Sequence, residues 1–433
     1  MADRTAARHV TSRRVVVVAA ATTSVFLGVA SPVARADDGT AGGAVRDTVK
    51  KILSAGQPVA PVRAINRGTQ GTGNTTSGTN SVGDNSFGAN FFRIGNGNSY
   101  SATQSTGVGS FATNRTVIGD NNRYGGTQAI GDRSIGISRT VLGDNNDSVG
   151  IAQASDSDNV ITNLVGGGDD NASSGQATIG RRTLGGPAER NVNTNIVSIG
   201  DDNRGSANSN IRGSGNIATN VVSVGDGNRS SGSTVVLGDD SRASNLAVMG
   251  DENAGSGRAW AIGQGNVATN VAMLGDRNVS SGVTSVGGST TESKNLVGRS
   301  LVIMGDDNQN TGNNVVGVSG AGSENSRGFN AVIAGDGNQN SGNNVVGDDG
   351  QFGMNVALIG NGVTSSGNNT VDATSAGRAG INLVLIGDGA SNSGNNTGGG
   401  INIAIVPAGA SGVGNCSKSL CVNILGAQLL GGP

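Results

Sequence analysis

The segment Asn195-Ile-Val-Ser-Ile-Gly200-Asp201 returns in the next repeat as Asn220-Val-Val-Ser-Val-Gly225-Asp226, and this repetition decides the fold. The Asn-apolar-apolar step recurs at a constant interval, at Asn195, Asn220, Asn245, Asn270 and Asn295. A strict period in this range, with fixed turn residues and free intervening residues, is typical of a solenoid whose units bury their apolar edge by stacking.

A Gly-Asp pair ends each repeated segment. It stands at Gly200-Asp201, Gly225-Asp226, Gly250-Asp251 and Gly275-Asp276. The residues one and three positions before each glycine are apolar, as in Val222 and Val224, and a period of two predicts a short strand with one face in the core. We expect the glycine to permit a backbone bend and the aspartate to cap the turn.

A looser copy of the turn near the middle of each interval divides the repeat into two halves. We therefore predict an all-β solenoid, a parallel β-helix or β-roll, with coils of about 25 residues made of two half-repeats of about 12 to 13 residues each. One coil per half-repeat is the alternative, but the asparagine and the full apolar run recur only with the longer period. Stacked asparagines would form an amide ladder that fixes the register.

The turn signature extends over residues 82–406, which defines the predicted solenoid. Before it, residues 37–81 predict a short amphipathic helix, with Val45, Val49, Ile52 and Leu53 on one face, and then a Gly/Thr/Asn linker. After it, residues 407–433 predict an apolar cap with a cysteine pair. In an oxidising compartment Cys416 and Cys421 are expected to form a disulfide, with a metal pair as the alternative.

Residues 1–36 have the pattern of a secretory signal peptide: a basic start, an apolar run over residues 15–30 and a small-residue site before Asp37. Cleavage would leave 24 basic and 30 acidic residues, a net charge near −6, and would remove the only histidine, His9. We therefore expect a secreted or cell-surface protein with no membrane span after cleavage. A nucleic-acid partner is not expected, because phosphate binding needs a basic surface.

Continuously apolar strands occur in the C-terminal third, as at Leu301-Val-Ile-Met304 and Leu383-Val-Leu-Ile386. Such runs suit strands that are covered on both faces. We expect the outer face of this third to be covered by the apolar tail, residues 422–430, or by a neighbouring chain through self-association. The same third contains a further repeated element, Ser/Thr-Gly-Asn-Asn, at Gly312, Gly342, Gly367 and Gly394.

Stacking would place the repeated aspartates in a row, where neighbouring carboxylates repel by roughly 1 kcal/mol per pair in water. Calcium between turns would relieve this repulsion. The Gly-Gly-x-Gly-x-Asp nonamer of calcium-binding rolls is absent, however, so we expect no cofactor, with calcium as the alternative.

The pattern Val-x-Leu/Ile-Gly-Asp-x-Asn followed by Ser-Gly, as at residues 221–232 and 271–282, resembles the head repeats of trimeric autotransporter adhesins, which are β-rolls on bacterial surfaces. The Gly-Asn-Asn steps are similar to the Asn/Gly-rich repeats of exported mycobacterial surface proteins. The resemblance implies a surface-exposed β-roll and assigns a role to no individual residue.

Two functions from different classes follow. The first is an exported, non-enzymatic structural or adhesive protein of the cell envelope or extracellular matrix, with a surface or matrix ligand. The second is a polysaccharide lyase or hydrolase on a parallel β-helix, which would need acidic and basic side chains that converge in a groove. Arg277 and Arg299, with Asp276 and Asp306, are the candidates for such a site. Without a histidine in the mature chain, we expect no enzyme.

Overall fold

The computed structural model describes residues 63–180, 188–263, 265–286, 293–294, 297–316, 323–324, 327–346, 352–371, 379–397, 400–417 and 419–430. These residues lie in one compact unit, Val62–Pro433. The predicted signal peptide and the predicted helix with Val45, Val49, Ile52 and Leu53 lie outside the described residues.

Every described element is a β-strand, and the chain alternates between long and short ones. The strands are β1 Arg63–Gln70, β2 Asn80–Val82, β3 Phe87–Ile94, β4 Gln104–Thr106, β5 Phe111–Ile118, β6 Gln128–Ile130, β7 Ile135–Leu142, β8 Ala152–Ala154, β9 Val160–Gly167, β10 Ala177–Gly180, β11 Val192–Ile199, β12 Ser209–Arg212, β13 Ile217–Val224, β14 Thr234–Leu237, β15 Arg242–Met249, β16 Ala259–Ile262, β17 Val267–Leu274, β18 Thr284–Val286, β19 Ser293–Lys294, β20 Val297–Met304, β21 Asn314–Val316, β22 Ser323–Glu324, β23 Arg327–Ala334, β24 Asn344–Val346, β25 Phe352–Ile359, β26 Asn369–Val371, β27 Ala379–Ile386, β28 Asn396–Thr397, β29 Ile401–Val406, β30 Leu420–Ile424 and β31 Ala427–Leu430.

The strands form two sheets that run side by side along the molecule. The large sheet has 16 strands in the order β1-β3-β5-β7-β9-β11-β13-β15-β17-β20-β23-β25-β27-β29-β30-β31, and the small sheet has 13, from β2 to β28. A further pair, β19 and β22, forms a two-stranded sheet. Each full coil therefore gives one strand to each main sheet. This confirms the predicted parallel β-solenoid with its longer coil, and it excludes one coil per half-repeat.

Coil length varies while strand register does not. Stacked asparagines are 24 residues apart at Asn90 and Asn114, 25 apart at Asn195 and Asn220, and 32 apart at Asn163 and Asn195. In the 32-residue coil, Val192 still lies opposite Val160 and Ile199 opposite Gly167. Extra residues thus enter the connections and leave the strands aligned.

The core is thin and aliphatic because the long strands alternate strictly between inward and outward residues. In β13, Ala218, Asn220, Val222 and Val224 are buried, and the residues between them are more exposed. One apolar cluster follows the ends of the long strands, and a second one joins their beginnings to the small sheet. The buried asparagine position lies between these two clusters, so an apolar seam and a polar row run side by side.

The asparagine row forms the expected amide ladder over part of its length. Asn195 Nδ2 donates to Asn163 Oδ1 at 3.0 Å, Asn220 donates to Asn195 at 2.9 Å, and Asn245 donates to Asn220 at 3.2 Å. Asn270 is buried in the same row but donates instead to the carbonyl oxygens of Arg258 and Gly282, at 2.8 and 2.6 Å. The ladder thus breaks above Asn245.

The predicted fifth member of the row is wrong. The residue that pairs with Asn270 on the next strand is Ser300, and Asn295 lies outside the described residues. The physical reason is that this coil is longer: the aspartates of the flanking turns, Asp276 and Asp306, are 30 residues apart. The sequence repeats Asn-Leu-Val at the same 25-residue interval as before, but the strand begins only at Val297.

The predicted N-terminal boundary of the solenoid at residue 82 is also wrong. Strand β1 pairs in parallel with β3 along its whole length, so the stretch predicted as a linker contributes to the first described coil. Its turn is the same as in later coils, because Asn98 donates its backbone N–H to Asn74 Oδ1 at 2.8 Å. The sequence signal is hidden because Gly68 and Gln70 replace the apolar residues at the strand positions that normally face the core.

The C-terminal tail does not cover the outer face of the preceding strands, contrary to one of the two expectations. Strand β30 adds to the end of the large sheet in parallel with β29, and β31 turns back antiparallel to β30. Residues 407–416 belong to the last solenoid arc, since Ser411 bridges to Ser391 and Cys416 to Asn396. Leu425 and Leu429 remain 65% and 59% exposed. The tail closes the end of the sheet, and no described residue covers the outer face.

We predict that Asn220→Ala lowers the free energy of unfolding by about 2 to 3 kcal/mol. The substitution leaves a buried amide oxygen on Asn195 and a buried amide nitrogen on Asn245 without this partner. Urea denaturation followed by circular dichroism measures the change. The control is Thr219→Ala on the opposite face of the same strand, which is expected to change stability by less than about 0.5 kcal/mol. Equal losses in the two variants would contradict a structural role for the ladder.

Candidate functional site

The most regular polar feature of the surface is the row of aspartates at the turn after each long strand. Asp226 Oδ1 accepts the backbone N–H of Asp201 at 2.8 Å, Asp251 accepts that of Asp226 at 2.8 Å, and Asp276 accepts that of Asp251 at 2.8 Å. The sequence predicted that each aspartate caps its own turn. The bond shown here instead connects one coil to the preceding coil.

The four turn glycines have a different role from the expected one. None of Gly200, Gly225, Gly250 and Gly275 has a positive φ, so the backbone bend does not require glycine there. A Cβ atom at Gly200 would overlap Asp226 Oδ1 of the next coil, and one at Gly225 would overlap Asp251 Oδ1. Glycine is therefore needed because the carboxylate of the next coil occupies the space beside its Cα atom.

A second row of polar side chains, not predicted from the sequence, lies two residues after each aspartate. Asn203 Oδ1 accepts the backbone N–H of Asn228 at 2.9 Å, and Asn203 Nδ2 donates to the carbonyl oxygen of Gly225 at 2.9 Å. Asn228 makes the same two bonds to Asn253 and Gly250, at 2.9 and 3.0 Å. These asparagines are fully buried. The signal was present as the Asn of Gly-Asp-x-Asn.

These two rows bind in opposite directions along the solenoid. The aspartate of a later coil accepts a bond from the earlier coil, and the asparagine of an earlier coil reaches the later one. Each turn is thereby held by its neighbours on both sides. Most of the hydrogen-bonding capacity of these side chains is spent on the backbone.

The Ser/Thr-Gly-Asn-Asn element builds a further amide ladder, on the small sheet. Asn344 Nδ2 donates to Asn314 Oδ1 at 3.1 Å, Asn369 donates to Asn344 at 2.8 Å, and Asn396 donates to Asn369 at 3.0 Å. In this part of the chain the small sheet thus has its own buried polar row. The element is visible in the sequence, but its stacking across coils is not.

At the centre of the aspartate row, the surroundings of Asp226 disfavour its charged form. Partial loss of hydration raises the pKa of Asp226, the hydrogen bond from Asp201 opposes this rise, and repulsion from Asp251 and Asp201 adds to it. Within the residues described, no three His, Cys, Asp or Glu side chains are grouped so that they could hold a metal ion. The Oδ1 atom of each of these carboxylates accepts the backbone N–H of the preceding coil.

The arginines considered for a catalytic groove have separate partners. Arg277 forms a two-pronged ion pair with Asp307, with Nε–Oδ1 and Nη2–Oδ2 distances of 2.7 and 2.8 Å, and this contact lowers the pKa of Asp307. The guanidinium of Arg299 lies over the ring of Phe329, 5.4 Å from its centroid. Asp276 and Asp306 belong to the aspartate row. The structure thus distributes these four side chains among three different contacts.

The two cysteines form the expected disulfide, which links Cys416 on the last arc to Cys421 in β30. Beside it lies a groove of about 390 Å³, lined by Asn, Ser and Thr side chains of successive coils such as Asn368, Asn395 and Asn415. Its described lining contains amide and hydroxyl groups and no carboxylate or cationic side chain. The groove can therefore offer hydrogen bonds, but its described walls supply no general acid or base.

Comparison with protein families, with curated proteins and with solved structures finds no match for this chain. Across the ranges that the structure covers, no helix is long and apolar enough to cross a membrane.

We predict that Gly225→Ala destabilises the protein by about 1 to 2 kcal/mol, because the new methyl group displaces the carboxylate of Asp251 and breaks its hydrogen bond to the Asp226 N–H. The matched control is Gly166→Ala on the outer face of β9, where an added Cβ meets nothing within 4 Å. This variant is expected to be as stable as the parent or slightly more stable, because alanine restricts the unfolded chain. Thermal unfolding of the two variants compares them directly, and equal melting temperatures would refute the steric argument.

We predict that Asp226→Asn stabilises the protein at pH 7, by no more than about 1 kcal/mol because solvent screens exposed charges. The amide keeps the acceptor oxygen, as Asn361 does when it accepts the N–H of Asp336 at 2.8 Å. A raised pKa of Asp226 in the folded state means that ionisation opposes folding, so the advantage of the amide should shrink as the pH falls toward about 4.

The control for this prediction is Asp226→Ala, which removes the acceptor and is expected to cost about 1 kcal/mol relative to the asparagine variant. Urea titrations at pH 7 and pH 4 give both comparisons. An asparagine variant no more stable than the alanine variant would show that the oxygen does not hold the coils together.

Proposed function

We propose that this chain is an exported, non-enzymatic structural or adhesive protein of the cell envelope or extracellular matrix. The observation that carries the proposal is that the repeated polar side chains form hydrogen bonds within the solenoid. The aspartates and asparagines that recur most regularly bond the backbone of neighbouring coils, as Asp251 and Asn203 do. These repeated residues hold successive coils together. The side chains that remain available to contact a ligand are the outward residues of the strands.

Those outward residues differ along the large sheet and offer distinct contact surfaces. Near the N-terminal end they include exposed Arg67, Arg115 and Arg139, which share one row of the register. In the middle, Thr162, Thr194 and Thr219 form a threonine row. A rod of 14 strand spacings from β1 to β30 is roughly 65 to 70 Å long. A surface of this length suits attachment to an extended ligand.

Export is supported by the N-terminal sequence and agrees with the disulfide, since such bonds persist in oxidising compartments. Net negative charge after processing favours a ligand that is not a nucleic acid.

The proposal predicts that the processed chain occurs in the envelope or medium fraction of the producing cells and binds cells or matrix without altering them. Immunoblots of cytosol, envelope, wall and medium test the location. Binding of purified protein to whole cells and to matrix polymers, with the polymer chain length measured before and after, tests the mode of action. A protein retained in the cytosol with its signal segment, residues 1–36, intact would refute export.

Shortening of an acidic glycan in the same assay would instead favour the alternative, a polysaccharide lyase or hydrolase. In that event, activity should depend on a cluster of ionisable residues. Arg277→Ala and Asp307→Ala are the first variants to compare, because these two side chains pair at 2.7 Å on the surface.

A further inference from the structure

The outer face of the large sheet becomes apolar toward the C-terminal end. The strands involved are β20, β23, β25, β27, β29 and β30, and three outward positions in each of them follow one another in register. All the side chains at these positions are apolar except Arg299, which is charged. We call this set the apolar face; it consists of Arg299, Phe329, Met354, Ile381, Ile401, Leu420, Leu301, Ala331, Val356, Leu383, Ile403, Val422, Ile303, Ile333, Leu358, Leu385, Ile405 and Ile424.

Within the described part of the chain, nothing covers the apolar face. Ile333 is 52% exposed, Leu301 49% and Leu385 48%, and each stands among apolar neighbours on the adjacent strands. Isolated exposed leucines are ordinary on protein surfaces, but a contiguous patch of several hundred square ångströms marks an interaction site. The terminal hairpin does not supply the cover, because it extends the sheet edge.

The size of the apolar face fits a partner of the same kind. Six strands at about 4.8 Å and three outward positions at about 6.6 Å give a footprint of roughly 570 Å², and two such faces together give roughly 1,150 Å², above the ~1,000 Å² expected of a specific interface. Two copies also present rows with the same spacing, so their side chains can interdigitate as in packed sheets.

The charges on the same sheet select the arrangement of the two copies. Exposed Arg67, Arg115 and Arg139 occupy the central outward row near the N-terminal end. If two rods packed face to face in the same direction, these like-charged rows would oppose each other. If the rods run in opposite directions and overlap only at their apolar faces, the arginine rows point away from the contact.

We propose that the apolar face is a homodimer interface, in which two copies of this chain pack face to face with their rod axes antiparallel. The two-fold axis lies parallel to the strands, between β25 and β27. The interface is isologous and closes on itself, so the product is a dimer with the two N-terminal ends at opposite extremes. The proposal does not depend on whether the rod is adhesive.

The first test is sedimentation equilibrium of the purified protein over a concentration range up to about 100 μM, where an interface of this size is expected to be populated. We expect a monomer–dimer equilibrium. Ile333→Lys should raise the dimer dissociation constant by at least about 100-fold, since the two-fold axis buries two lysines per interface. Unchanged circular dichroism shows that the variant is folded.

The matched control is Val141→Lys. Val141 is 43% exposed and occupies the same outward position on β7, beyond the proposed overlap. It should change the dissociation constant by no more than about two-fold. A monomer at every concentration overturns the proposal, whether or not the protein binds lipid vesicles or another protein. A dimer that Ile333→Lys leaves intact, or that Val141→Lys disrupts, would also overturn the proposal.

The second test measures the orientation. Leu246→Cys introduces a single thiol for a spin label on β15, because Cys416 and Cys421 are already joined. Leu246 lies four and a half strand spacings from the proposed axis, so the two labels of an antiparallel dimer should be about 40 to 50 Å apart. A pair packed in the same direction would give about 10 to 20 Å, and this result would overturn the proposal.

Discussion

The hydrogen bond from the amide of one coil to the amide or carboxylate of the next is the constraint on which this solenoid depends. Such a bond requires the donor and the acceptor to lie at equivalent positions of adjacent coils, about one strand spacing apart. Asn220 and Asn245 satisfy it inside the coil, and Asp226 and Asp251 satisfy it at the turn. A slip of one residue would break every bond in a row at once, so the rows fix the register more strictly than the apolar seam alone.

The polar rows also explain how so thin a core is tolerated. With few aromatic side chains, the inside of each coil is filled by small aliphatic side chains and by buried Asn and Ser, most of which bond to the backbone or to one another, although the Oδ1 atoms of Asn245 and Asn270 have no partner. A buried amide with its bonds satisfied costs little, whereas one without partners is expensive. The design works because each coil supplies the partners of the next.

The sequence predicted the architecture because period and strand alternation are local signals. The sequence-based predictions were wrong at positions that are set by the geometry between coils. Asn295 repeats the motif but Ser300 holds the position in the strand, since an insertion changes the phase of the sequence and not that of the sheet. Asn74 makes the same turn hydrogen bond as its equivalents in later coils, although the strand before it lacks the apolar residues that would have predicted this turn. The contact between the Gly225 Cα and Asp251 was invisible because it joins residues of different coils. The open outer face of β25 and β27 also follows from where the tail folds, which composition does not reveal.

The strands run across the long axis of the molecule, and this has a mechanical consequence. A pull applied along the axis would separate coils rather than slide strands past one another, so the load would fall on the outermost coil first. Each coil of about 25 residues that peels away would lengthen the molecule by roughly 80 Å, since an extended residue spans about 3.3 Å. Because every coil touches only its neighbours, the remainder would stay intact. The molecule would thus yield to tension in steps, as an extensible spring rather than as a brittle strut.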